Sequence, residues 1–319
     1  MKQHTKVRGR FAPTPSGRMH MGNLFAALLS WLDVRSIGGE MLLRMEDLDQ
    51  ERCRSEYVRQ LAEDLLWLGL DWDLGWQSGN SEFLQSQRTC HYEMAFQSLR
   101  EQGLLYPCYC NRKERLTANA PHTSDGSMLY HGRCRSLSEN ERMELERSGR
   151  KPAWRIQVPH TQVLLSDGNY GEYAEWLDED CGDFILRRSD GIYAYQLAVV
   201  VDDGAMGVNR VVRGRDLLSS APRQIWLFKQ LGYTPPQYYH TPLLTDKIGR
   251  RLSKRDRDLD MGALQQHTSA EKLVGFLAYT AGLIERPEAV SARELIGEFS
   301  WDKIGSDDKM VESFLPKIL

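Results

Sequence analysis

The chain has 319 residues, 41% hydrophobic and 27% charged, which suits a globular protein of about two structural units and excludes a disordered one. Lys plus Arg number 41 and Asp plus Glu 44, so the net charge of −3 excludes a general polyanion binder; any nucleic-acid site must gather its cations on one face. No run approaches the ~20 apolar residues of a membrane helix, and the polar, basic stretch Met1–Arg10 lacks the apolar segment of a signal peptide. A cytoplasmic protein with no membrane partner is expected.

Residues 7–13 predict a short strand ended by proline, followed by a Pro/Gly/Ser-rich turn. From Asn23 to Ser36 a helical pattern places Leu24, Ala27, Leu28 and Trp31 on one face. Glu40–Met45 predicts a second strand, leading into the acidic run Glu46-Asp47-Leu48-Asp49, and 57–68 and 88–102 predict helices. Strand, turn, helix, strand is the start of a βαβ unit and so of a parallel sheet. Residues 106–135 hold a cysteine cluster and a polar loop, too poor in apolar residues to form a core alone. Residues 153–190 alternate short apolar runs with turns and predict a β-rich insertion. The continuous apolar run within Tyr193–Asp203 predicts a central strand. Beyond it lie Val208–Arg213, a helix near 216–231 and a polar loop at 246–258. Helical stretches are predicted near 263–267, 270–281 and 292–299.

The segment Pro13–Asn23 joins the first strand to the first helix. In a parallel sheet that edge binds ligands, and the helix N-terminus offers unpaired N–H groups to phosphate. Gly22 would let a flat base or ribose approach the backbone, and His20 could donate to an oxygen of either. Further on, Arg250-Arg251-Leu252-Ser253-Lys254-Arg255 offers a lysine among small polar groups; a positioned ammonium stabilises charge that builds on a phosphoryl group under attack.

Arg10-Phe11-Ala12-Pro13-Thr14, continued through Gly17 and followed by His20-Met21-Gly22-Asn23, resembles the first signature of class I aminoacyl-tRNA synthetases in the form used by glutamyl enzymes. Met21 stands where isoleucine is usual. The run 251–255 resembles the second signature, Lys-Met-Ser-Lys-Ser, with Lys254 at the catalytic lysine and Arg251 and Arg255 departing from the flanking lysine and serine. Arg44-Met45-Glu46-Asp47-Leu48-Asp49 resembles the family's Arg-Ile-Glu-Asp-Thr-Asp, Tyr195 opens a segment like the one lining the amino-acid pocket, and Arg213 matches the arginine facing the substrate side chain. The resemblance implies a catalytic pair, His20 and Lys254. It implies glutamate binding by Arg10, Phe11, Ala12, Pro13, Thr14, Glu46, Tyr195 and Arg213, and ATP binding by His20, Gly22, Asn23 and Lys254, with Mg²⁺ accompanying ATP. A γ-carboxylate is best read by a guanidinium fork, and an uncharged analogue would leave Arg10 and Arg213 unpaired in a dry site. Val199 stands where tRNA-charging enzymes tend to carry a polar pocket residue, which implies weaker glutamate binding.

Six cysteines make a poor disulfide framework in a chain this long, and three of them cluster. Cys108, Cys110 and Cys134 fill three of the four positions of a structural Zn²⁺. Chemistry alone favours His131 as the fourth. The resemblance favours Tyr130, because the shortened glutamyl-queuosine tRNA(Asp) synthetases carry Cys-x-Cys and then Tyr-x₃-Cys here. Only residues 256–319 follow the second signature, too few for an anticodon-reading module of the usual size.

The expectation is therefore an α/β protein: a Rossmann-like parallel sheet of the class I kind, an inserted zinc-binding, β-rich subdomain and a short C-terminal helical part. The divisions are 1–105 and 191–245 for the two halves of the catalytic domain, 106–190 for the insertion and 246–319 for the signature loop and helical part. The implied activity is ATP-dependent activation of L-glutamate and its transfer to queuosine in the anticodon of tRNA(Asp), by a monomer. The alternatives are a truncated enzyme charging the 3′ end of tRNA(Glu), a nucleotidyltransferase sharing the first signature, and a zinc-stabilised RNA-binding module.

Overall fold

The computed structural model describes residues 6–77, 80–111, 129–130, 132–252 and 260–311. Five strands form an all-parallel sheet in the order β10-β9-β1-β2-β3: β1 is Arg8–Phe11, β2 Glu40–Leu43, β3 Leu74–Gly75, β9 Arg210–Gly214 and β10 Gln237–Thr241. Helix α1, Met21–Ser36, makes the first crossover, with eleven of its sixteen residues buried. It can lie so close to β1 because Gly9 has no side chain; a Cβ there would come within 2.2 Å of Val34 Cγ2.

Between β3 and β9 the chain leaves this sheet. After α2, Ser55–Trp67, which lies between β2 and β3, comes α3, Thr89–Glu101; strands β4 (Leu105–Cys108), β5 (Ala153–Ile156) and β8 (Phe184–Arg187) then pair antiparallel, and β6 (Gln162–Asp167) with β7 (Gly171–Trp176) forms a hairpin. Strand β6 alternates strictly, with Val163, Leu165 and Asp167 buried and Gln162, Leu164 and Ser166 exposed. Val163 and Leu165 join the core built around α3 and the helices Tyr195–Ala205 and Ala221–Gln230, so this hairpin packs on the second half of the chain. A separate core surrounds α1, β2 and the helices Met261–His267 and Ala270–Ala281. Burying each large apolar side chain in these clusters stabilises the fold by roughly 1.5–3 kcal/mol.

One expectation is corrected. The run beginning at Tyr195 is a helix, Tyr195–Ala205, and not a strand. Leu197 to Val201 are all buried, so no polar face interrupts the sequence and its 3.6-residue period is invisible. The sheet positions beside β9 are already taken by β1 and β10, whereas a helix satisfies its own backbone between α3 and Ala221–Gln230. The stretch near 292–299 holds a 3₁₀ helix at Glu294–Glu298.

Candidate active site and metal centre

Strands β1, β2, β9 and β10 run parallel, and their carboxyl ends bring Arg10, Arg44, Arg213 and His240 to one edge of the sheet, where ligands bind in open α/β sheets. The turn after β1 lies along the segment after β2: Arg44 N donates to Phe11 O at 3.1 Å and Glu46 N to Pro13 O at 2.9 Å. Phe11, Ala12 and Pro13 are half-buried there and Thr14 is exposed.

Arg44 is fully buried. Its guanidinium lies 2.7 Å from Asp203, 3.3 Å from Glu46 and 3.6 Å from Asp202. Burial alone would push the guanidinium pKa down, but Asp203, Asp202 and Glu46 together raise it. Asp202 also accepts from Arg88 Nε at 2.6 Å, Gln85 Nε2 at 2.8 Å and the Tyr92 hydroxyl at 2.8 Å. Asp203 Oδ2 lies 3.6 Å from Arg10 Nε, while Arg10 Nη1 donates to Val212 O at 3.2 Å. Three cations and three carboxylates thus form one buried network. At its rim, burial holds the Glu46 carboxyl above the usual range, more than Arg44 and Arg10 pull it down.

Arg213 is held differently. It is 5% exposed, and its hydrogen bonds go to neutral acceptors: Nε to His240 Nε2 at 3.0 Å, Nη1 to Gln224 Oε1 at 2.7 Å and Nη2 to Leu217 O at 3.1 Å. Among the described residues no carboxylate lies within 4.0 Å of it. A guanidinium has five N–H donors, so one remains on each terminal nitrogen. Its carbon lies 4.9 Å from the centroid of the Tyr238 ring. Tyr195 completes the group: burial pushes its phenol up, and Arg213, Glu46, Arg10 and Asp203 all act on it.

His20 caps α1. Its Nδ1 accepts from Gly22 N at 3.2 Å, and the Asn23 side chain accepts from His20 N at 3.4 Å. With Nδ1 accepting, the neutral ring carries its proton on Nε2, a donor. A Cβ on Gly22 would sit 3.2 Å from the imidazole, so a larger residue would crowd the ring. Lys254 lies outside the described residues. On either side of that stretch, Leu252 N bonds Leu244 O at 2.9 Å, and Asp260 pairs with His20, with Met261 N on Met19 O at 2.9 Å.

The cysteine cluster forms in space as its spacing suggests. The sulfurs of Cys108, Cys110 and Cys134 lie within 4.8 Å of one another. The Tyr130 hydroxyl sits 3.4 Å from Cys108 Sγ and 3.5 Å from Cys110 Sγ, and accepts from Cys134 N at 3.0 Å. His131 lies outside the described residues. Arg155 donates to Cys108 Sγ at 3.4 Å and stacks 3.9 Å from the Tyr130 ring centroid. A hydrogen bond from Cys134, helped by Arg155, pulls the Cys108 thiol down against burial. Three soft donors and a phenol around one point, with a buried cation beside them, fit a tetrahedral zinc. Next to them a cavity of about 530 Å³ is lined by Arg150, Lys151, Arg155 and Arg188, with Asp190 on one side.

The sequence motifs give no role to Arg44, quoted only as part of its motif, or to Asp202, Asp203, Asp167, Gln224 and His240, yet these residues hold the pocket in place. The signal for one pair was present, since two adjacent carboxylates at the end of an apolar run demand buried cations.

This fold, with its site at the sheet edge, is that of a class I synthetase: residues 6–296 match tRNA synthetases class I (E and Q), catalytic domain, and the chain belongs to that family of ATP-dependent ligases. It is 48% identical over 282 residues to a Glutamyl-Q tRNA(Asp) synthetase of Nitratidesulfovibrio vulgaris, covering 87% of each chain. It is 38% identical over 307 residues to Glutamate--tRNA ligase 2 of Syntrophus aciditrophicus, covering 94% of this chain and 63% of that one. Among solved structures, a glutamate tRNA ligase of Elizabethkingia meningosepticum in complex with its amino acid superposes with a TM-score of 0.81 at 25% identity, over 97% of this chain and 68% of the other.

Proposed function

We propose that the chain activates L-glutamate with ATP and passes the glutamyl group to queuosine in the anticodon of tRNA(Asp). The observation that carries the glutamate reading is Arg213: a buried cation that, among the described residues, is engaged only by neutral acceptors, with one N–H left on each terminal nitrogen. That is the donor pattern for a bidentate carboxylate. The buried network places Glu46 beside Arg44 and Arg10, where it takes the substrate's α-ammonium; the incoming positive charge pulls its raised pKa back down. Arg10, Tyr195 and the turn 11–14 enclose the rest of the amino acid. With side chain and amino group held, the α-carboxylate is left as the nucleophile.

One carboxylate oxygen attacks the α-phosphorus of ATP, the bond to the bridging oxygen of diphosphate breaks, and glutamyl-adenylate and diphosphate result. His20 donates from Nε2, its ring held by the Gly22 amide at 3.2 Å and its carbonyl by the Asn23 amide at 2.8 Å, while Lys254 stabilises the charge developing on the transferring phosphoryl group. Mg²⁺, when bound with ATP, shields the phosphates. In the second step a hydroxyl of the cyclopentene-diol of queuosine attacks the acyl carbon, AMP leaves, and the hydroxyl proton is released. Catalysis by alignment and charge stabilisation needs no protein nucleophile.

The queuosine assignment is supported by the 48% identity to a glutamyl-Q enzyme over 87% of both chains, against 38% to the ligase. Cys108, Cys110, Cys134 and Tyr130 would hold the zinc, which supplies a structural crosslink between the segments 108–110 and 130–134. The cations of the neighbouring cavity suit RNA phosphates. We place the reaction in the cytoplasm, carried out by a monomer; among the described residues no helix is long and apolar enough to cross a membrane. Exchange of labelled diphosphate into ATP, screened over the amino acids, tests the first step. Stimulation by glutamate alone is expected, and stimulation by none refutes the reading.

A further inference from the structure

Behind the Arg213 guanidinium lies a second, fully buried layer that no catalytic step uses. His240, on the β10 position paired with Arg213, accepts from Arg213 Nε through its Nε2 at 3.0 Å. Its other nitrogen, Nδ1, lies 2.6 Å from Asp167 Oδ2, and both side chains have no exposure at all. Asp167 is the last residue of β6, so it comes from the hairpin and not from the parallel sheet. Its Oδ1 is already held by the backbone N–H groups of Asn169, Tyr170 and His240 at 3.0, 3.0 and 3.2 Å. Asn169 also donates to His240 O at 2.9 Å, fixing the turn against β10.

The chemistry allows one arrangement. Arg213 has donors only, so Nε2 must be unprotonated to accept from it; the proton then sits on Nδ1, where the Asp167 carboxylate receives it. Burial keeps the ring neutral, pulling His240 down to about 4.

We propose that His240, fixed in its Nδ1–H form by Asp167, is a positioning residue that orients the Arg213 fork towards a ligand carboxylate, so that the β6–β7 hairpin takes part in choosing the amino acid. This rests on the glutamate reading of Arg213 given above. The carboxylate acts through the ring on the guanidinium, in the same logic by which an aspartate sets the tautomer of a catalytic histidine.

Asp167→Asn is the sharpest perturbation. The amide oxygen can keep the three backbone bonds of Oδ1, while its NH₂ replaces Oδ2 and faces Nδ1. The ring must then accept at Nδ1 and carry its proton on Nε2, directly against the Arg213 N–H. The experiment measures ring ¹⁵N shifts on histidine-labelled protein, with His240 assigned by its loss in His240→Gln, together with KM for glutamate and for ATP. Wild type should show the Nδ1–H form, and Asp167→Asn the Nε2–H form with KM for glutamate raised roughly 10–100-fold and KM for ATP changed little. His240→Leu should do the same to KM, and His240→Gln, which restores an acceptor near Nε2, should recover most of that loss. An Nε2–H ring in wild type overturns the proposal, as does a tautomer switch that leaves KM for glutamate unmoved. Absence of glutamate-dependent exchange in wild type instead sinks the glutamate reading, while the ring shifts still decide the tautomer.

Discussion

Replacing Arg44 by methionine removes one of three cations, Arg10, Arg44 and Arg88, that face the three carboxylates Glu46, Asp202 and Asp203. Asp202 keeps Arg88 at 2.6 Å and its bonds to Gln85 and Tyr92, so it loses least. Asp203 is left with Arg10 at 3.6 Å, and Glu46 loses the guanidinium 3.3 Å away. Removing one partner of a buried ion pair costs about 3–5 kcal/mol, because the remaining charge is uncompensated. For a chain of 319 residues that corresponds to a fall in Tm of roughly 5–8 °C. Thermal and urea unfolding read the stability. The double variant Arg44→Met/Asp203→Asn, which restores the balance of charge, should cost less than the sum of the two single changes. Glutamate KM should also rise in Arg44→Met, since Glu46 would be protonated more readily and hold an ammonium less well. A single variant within about 1 kcal/mol of wild type, or strictly additive single and double variants, would refute the reasoning.

Arg213→Lys keeps the charge but loses the fork; forfeiting one charge-assisted bond of about 1.5–3 kcal/mol should raise KM for glutamate roughly 10–150-fold, with KM for ATP nearly unchanged. At the cysteine cluster, metal analysis should find one zinc per chain, with Cys134→Ser losing it and Tyr130→Phe weakening retention by about tenfold or more in a chelator competition. Release of zinc by His131→Ala, with Tyr130→Phe unaffected, would transfer the fourth position to histidine. His240 sets a pH effect on stability. Its folded pKa, about 4, lies below the ordinary 6.5, so between these values the unfolded chain binds the proton and the folded chain does not. Its contribution is therefore whole above pH 6.5 and falls by about 3 kcal/mol as the pH drops to 4, beside Asp167, Arg213 and Arg10. Urea unfolding of wild type against His240→Gln should show that difference in slope, and parallel pH profiles would contradict it.

The opening βαβ unit was legible because Pro13, Pro15 and Gly17 mark the turn before α1, Gly38-Gly39 marks the break after it, and the sixteen residues of α1 are too many for an ordinary strand. The helix Tyr195–Ala205 was not, since a segment buried on every side shows no period to read. Residues carrying recognisable chemistry in a recognisable order, among them His20, Glu46, Arg213 and the three cysteines, could be singled out one by one. What holds them could not. Arg44 meets Asp203 across 159 positions and His240 meets Asp167 across 73, and such pairings are set by the packing of β10, the hairpin and the 195–205 helix rather than by local pattern. Asp167 illustrates the point: its alternation in β6 says that it is buried, but only the folded chain supplies the ring that takes its charge.

The most direct measurement offers labelled glutamate and ATP to tRNA(Asp) with queuosine, tRNA(Asp) without it, and tRNA(Glu). Label should enter only the first, survive removal of the 3′-terminal nucleotides and map to the anticodon loop. Label on the 3′ end of tRNA(Glu), or equal labelling of tRNA(Asp) with and without queuosine, would contradict the account.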